Sequence, residues 1–86
     1  MGYSSSSIPG TARLLDDFSG VMASNQGSLA GMRVRVRWYR HTNEKTRFVR
    51  EWVTVGGMDE PLVMQFSGRN LPQARASVLD LRRSVE

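Results

Sequence analysis

The chain has no cysteine, one histidine and one lysine. Without cysteine there is no disulfide framework, no thiolate metal site and no thiol nucleophile. A lone His41 argues against a histidine-based metal centre, which needs several ligands. No apolar run approaches the ~20 residues that cross a bilayer. The first ten residues lack the basic start and apolar stretch of a secretory signal. These absences lead us to expect a cytoplasmic protein with no membrane partner, no metal and no cofactor.

Catalytic signals are equally scarce. Asp16-Asp17 and Asp59-Glu60 are adjacent carboxylates, but acid–base pairs must converge on one pocket with separated pKa values. They read as charges at a helix start and in a loop. No glycine-rich phosphate loop occurs, and His41 has no nucleophile or metal ligand beside it in the pattern. The expectation is a protein that is not an enzyme.

What the sequence does have is arginine. Twelve basic residues face eight acidic ones, for a net charge of +4, and all the basic residues except Lys45 are arginine. The guanidinium is a planar fork that matches phosphate and stacks on rings and bases. Eighty-six residues make one domain, small enough that a bound partner or second subunit would add stability by mass action.

Residues 1–10, with four serines and Pro9-Gly10, read as a disordered arm preceding a single domain over 11–86. Leu14, Leu15, Phe18, Val21 and Met22 recur at helical spacing, which predicts a helix over about 11–23 with Thr11 as its cap and Asp16-Asp17 near its positive end. Residues 32–40 alternate: Met32, Val34, Val36 and Trp38 on one side, Arg33, Arg35, Arg37 and Tyr39 on the other. That is the period of a half-buried strand. Residues 46–55, rich in β-branched and aromatic side chains, predict a second strand. The connector 41–45 between them predicts an antiparallel hairpin. Gly56-Gly57 ends it, and residues 61–66 predict a shorter third strand.

After the turn Ser67-Gly68-Arg69, an Asn70 cap with Gln73 three residues on and Pro72 in the first turn open a second helix. Its stripe is Leu71, Ala74, Val78, Leu81 and Val85. The fold expected is α+β: helix, three-stranded antiparallel sheet, helix, with both helices on one face. Its expected core is Leu14, Leu15, Phe18, Val34, Val36, Trp38, Leu62, Met64, Phe66, Leu71, Val78 and Leu81.

Two hairpin registers compete. If His41 pairs with Thr46, Trp38 faces Val49 and Val34 faces Val53, with Glu51 intruding on the core side. Tyr39, Arg37 and Arg35 then stand beside Phe48, Arg50 and Trp52, an arginine face interleaved with aromatics. A slip of one residue swaps the faces of the second strand. Val36 then meets Trp52, Trp38 meets Arg50, and Arg37 meets Glu51, a solvated surface with a cross-strand ion pair. Arg33, Arg35 and Arg37 share a face in both.

The strand end Trp38-Tyr39-Arg40-His41, the chain length and the expected element order resemble the small Alu-domain RNA-binding subunits of the signal recognition particle, and the smaller subunit above all. The resemblance covers about a dozen residues. It implies a ribonucleoprotein heterodimer whose joined sheets bind folded RNA on a basic face, with Arg33, Arg35 and Arg37 at the matching positions. The acidic Asp59-Glu60 loop, the short third strand and Pro72 depart from it. The function expected is non-enzymatic binding of RNA or single-stranded nucleic acid by Arg33, Arg35, Arg37, Tyr39, Arg50 and Trp52, as a possible homo- or heterodimer. The alternative is a protein–protein assembly or adaptor subunit, of viral or secretion type, that binds no nucleic acid.

Overall fold

Alternation along residues 33–42 produces the expected strand, and three others join it. The computed structural model describes residues 8–23, 27–57 and 61–85. Strands β1 (Arg13–Val21), β2 (Arg33–Thr42), β3 (Val49–Gly56) and β4 (Leu62–Ser67) form one antiparallel sheet in the order β1-β2-β3-β4, followed by helix α1 (Leu71–Ser84). Each strand pairs with its neighbour in sequence, so the sheet is a meander. Of the expected arm, residues 1–7 lie outside the described residues. Pro9 accepts a bond from the Ala12 N–H at 2.9 Å, closing a turn into β1.

This corrects the expected fold: among the described residues the sheet has four strands rather than three, and one α-helix covers it rather than two. The segment expected as the first helix is β1. A bulge at Leu15 explains why its pattern mimics a helix. Leu14 pairs with Tyr39 and Asp16 with Trp38, so Leu15 is an extra residue that interrupts the two-residue period. Apolar side chains on either side of such a break fall at spacings of three and four.

The helix-side face of the sheet holds the core. Met22, Val34, Val36, Val53, Val55, Ala74 and Val78 are buried together. Phe18, Trp38, Met64, Phe66 and Leu81 pack partly buried around them. Leu14 and Leu62, expected inside, are each 48% exposed. Val53 and Val55 take their place, because α1 packs chiefly on β3. Asn70, expected to cap α1, makes no side-chain capping bond; a short 3₁₀ turn over Gly68–Asn70 leads into the helix instead. The end of β1 is tied to the end of α1: Met22 bridges Val85, and the Ala23 N–H donates to the Ser84 carbonyl at 2.7 Å.

The hairpin register is neither of the two weighed. Trp38 pairs with Val53, Tyr39 with Trp52, Arg40 with Glu51 and His41 with Arg50. The β2–β3 connector is Asn43 to Phe48, six residues, closed by the Asn43 N–H donating to the Phe48 carbonyl at 2.9 Å. The Asn43 side chain accepts from the N–H groups of Lys45 and Thr46, an Asx turn that fixes the loop. Arg47 takes φ 63° to complete the reversal. Although offset from both alternatives, the pairing keeps the face assignment of the first: Trp38 lies with Glu51, Val53 and Val55, and Tyr39 lies with Arg50 and Trp52.

Candidate nucleic-acid interface

Strand parity puts all six sequence-selected residues on the face of the sheet that α1 leaves uncovered. Arg33, Arg35, Arg37 and Tyr39 come from β2, and Arg50 and Trp52 from β3. His41 joins them opposite Arg50. Side chains two apart on a strand lie ~7 Å from one another, so the three β2 arginines form a row rather than a cluster.

The row has an internal counter-charge that sequence reasoning placed elsewhere. Asp17, read as a helix-start charge, sits opposite Arg37 on β1. It accepts from Arg35 Nε at 2.9 Å and Nη2 at 2.7 Å. Its Oδ2 also lies 3.8 Å from Arg37 Nε, close enough for attraction but not for a hydrogen bond. Arg37 Nε is buried and finds no hydrogen-bond partner among the described residues. The Asp17 carboxyl is held below its ordinary range, chiefly by the hydrogen bonds from Arg35. Arg35 is correspondingly raised. Arg33 and Arg50 have no carboxylate within salt-bridge distance among the described residues. Arg50 instead lies 5.6 Å from the centroid of the exposed Phe48 ring.

The two aromatics differ in access. Tyr39 is half-buried, whereas Trp52 is only 2% exposed although it lies on the helix-free side. A base could meet the Trp52 ring only after its neighbours part. Of the two sequence-selected aromatics, Tyr39 is therefore the one a base can reach, and the exposed Phe48 ring lies beside Arg50.

On the opposite face, Glu51 is the buried charged group among the described residues, 3% exposed. Its Oε1 accepts from Trp38 Nε1 at 2.7 Å and its Oε2 from Arg40 Nε at 2.9 Å. The carboxylate that looked like an intruder in the core is held by donors from two positions of β2, as a buried charge requires. Asp16 likewise leaves the role assigned to it. It accepts two bonds from Arg82 Nη2 at 2.9 and 2.7 Å, and that guanidinium lies 4.2 Å from the centroid of Phe18. The adjacent aspartates thus point to opposite faces of β1, one onto α1 and one into the arginine row.

No group of three or more metal-ligating side chains is found among the described residues, and no helix among them is long and apolar enough to cross a membrane. No protein family, curated protein or solved structure matches the chain. The element order is β–β–β–β–α, so of the features behind the likeness to the signal recognition particle subunits, only the chain length and the Trp38–His41 strand end remain.

Proposed function

We propose that the helix-free face of the sheet binds RNA or single-stranded nucleic acid, without catalysis, through phosphate contacts with some base stacking. The observation that carries this reading is the charge of that face. Among the described residues, four arginines, Arg33, Arg35, Arg37 and Arg50, stand there against one carboxylate, Asp17, which leaves positive charge in excess. Tyr39 offers a ring within the same patch. A polyanion competes with Asp17 for Arg35 and Arg37 and meets Arg33 and Arg50 without that competition.

Single-strand binding that neutralises about three phosphates falls with salt at a log–log slope of about −2. Retention on single-stranded RNA and DNA across a salt series measures it. Arg33→Ala with Arg50→Ala should weaken binding and flatten the slope by about 1.4, the share of two phosphates. Asp17→Asn should act in the opposite direction and strengthen binding by releasing Arg35 and Arg37. If neither pair of outcomes appears, the face is not a nucleic-acid site. An assembly role is the second reading, favoured by the edge of β4, which pairs with no further strand among the described residues.

A further inference from the structure

The two edges of the sheet are finished differently. At β1 the bulge at Leu15 breaks the outward row of backbone groups, and the strand carries Arg13, Asp16 and Asp17. Beside it the core is sealed by the Arg82 guanidinium, which lies over Phe18 and bonds Asp16. Bulges and charges are the devices by which proteins prevent edge-to-edge pairing. Strand β4, Leu-Val-Met-Gln-Phe-Ser, has no bulge in its pairing with β3, no charge and no proline within it.

The core is also open on the β4 side. Val53 and Val55 are 0% and 1% exposed, yet their β4 partners are the half-buried Met64 and the 48% exposed Leu62. Between β4 and α1 runs a groove of about 390 Å³ lined by Met64, Ser77, Asp80, Leu81 and Ser84. Apart from Asp80, the helix residues there are uncharged.

We infer that β4 pairs antiparallel with β4 of a second copy of this chain across a two-fold axis, forming a continuous eight-stranded sheet. A second copy fits because the strand is its own complement: with no charge along it, it meets itself without like-charge repulsion. The β1 edge would bring Asp17 and its neighbours against their own images. Parity limits the register. An axis normal to the sheet must pass beside a residue that faces its own copy, and centring it on Met64 or on Gln65 keeps Leu62, Met64 and Phe66 of both copies on the helix side. The two α1 helices then flank the axis, and the groove beside Leu81 closes between them. The helix-free faces merge into one surface. This pairing does not depend on nucleic-acid binding, since each copy carries its own arginine row.

Light scattering on a sizing column, run across a concentration series, tests the inference. The wild-type chain should approach twice its 9.7 kDa mass. Gln65 is exposed on the helix-free side. In Gln65→Lys, two ammonium groups lie directly opposite or diagonal to one another across the axis, and dimerisation should weaken ~2–5-fold at low salt. Gln65→Thr should retain the dimer, as should Ser19→Lys on the other edge. Hydrogen exchange of the wild type gives a second readout, with protection of the β4 amides rising with concentration. A wild-type mass that stays at one chain up to millimolar concentration overturns the inference. So does a dimer indifferent to Gln65→Lys but broken by Ser19→Lys. If Gln65→Lys fails to fold, concentration-independent exchange at β4 in the wild type overturns it equally.

Discussion

Replacing Glu51 by glutamine removes one buried charge while preserving the side-chain volume. The native carboxylate takes one bond on each oxygen, from the Trp38 indole and from the Arg40 guanidinium. In the variant the amide oxygen still accepts from the indole, but the amide nitrogen faces the Arg40 Nε–H, donor against donor. A hydrogen bond to a charged group contributes about 1.5–3 kcal/mol. The Arg40 side chain is 47% exposed and turns to water when released, which discounts the loss toward the lower end. We expect a cost of about 1.5–2 kcal/mol. In a domain this small, 1 kcal/mol moves Tm by about 4–8 °C, so the midpoint should fall by roughly 6–16 °C. Urea unfolding followed by tryptophan fluorescence gives the free energy directly. A cycle with Arg40→Met isolates the pair and should return a coupling of about 1 kcal/mol or more. A Glu51→Gln cost below about 0.5 kcal/mol, or no coupling in the cycle, would mean that the ion pair contributes nothing and the reasoning is wrong.

Four further outcomes follow from other parts of the fold. Gly57 has φ 93°, and a Cβ there would sit 2.3 Å from the Arg33 carbonyl oxygen, so Gly57→Ala should cost about 2–3 kcal/mol by urea unfolding. Arg47→Gly relieves a left-handed backbone in a side-chain-bearing residue and should raise stability by about 0.5–1 kcal/mol, read as a higher Tm. Arg82→Ala removes both the bonds to Asp16 and the contact with Phe18, and should cost about 1 kcal/mol, with part of the loss surviving in high salt because the ring contact is not a screened ion pair. Asp17 has a lowered carboxyl pKa. Its contribution to stability is complete above the unfolded value near ~3.9 and disappears as pH falls through the lower native one. The stability difference between the wild type and Asp17→Asn should therefore hold at neutral pH and shrink below about pH 4; a difference that grew in acid would contradict the assignment.

Much of the sheet could be read from residue order. The β2 alternation, the stop at Gly56-Gly57, the strand expected over 61–66 (found as Leu62–Ser67) and the α1 stripe through Ala74 and Val78 all match the structure to within a residue or two, because each is a local period that tertiary contacts reinforce. Two features were hidden. The Leu15 bulge gives β1 the spacing of a helix, and only its partner strand reveals the extra residue. The hairpin offset depends on Asn43, whose side chain closes a turn wider than the shortest one compatible with the hydrophobic pattern. The sign of that turn was present in Asn43 and Thr46, but propensity alone does not say how many residues a loop holds. For the candidate site, face parity was legible and the six residues do share a surface. The Asp17 counter-charge was not, since it comes from the element assigned to the wrong secondary structure. Nor was the burial of Trp52.

Synthesis on the ribosome is directional, and here the covering helix follows the sheet that it covers. The meander can pair hairpin by hairpin as it appears, since every ladder joins neighbours in the chain. Yet Val34, Val36, Val53 and Val55 keep one side open until Ala74 and Val78 arrive to cover it. A nascent or truncated chain stopping within residues 61–70 would thus present a preformed apolar sheet with nothing to shelter it, the kind of species chaperones capture. Cooperative stability waits for residues 71–85, whose bridge from Val85 to Met22 ties the helix end back to β1.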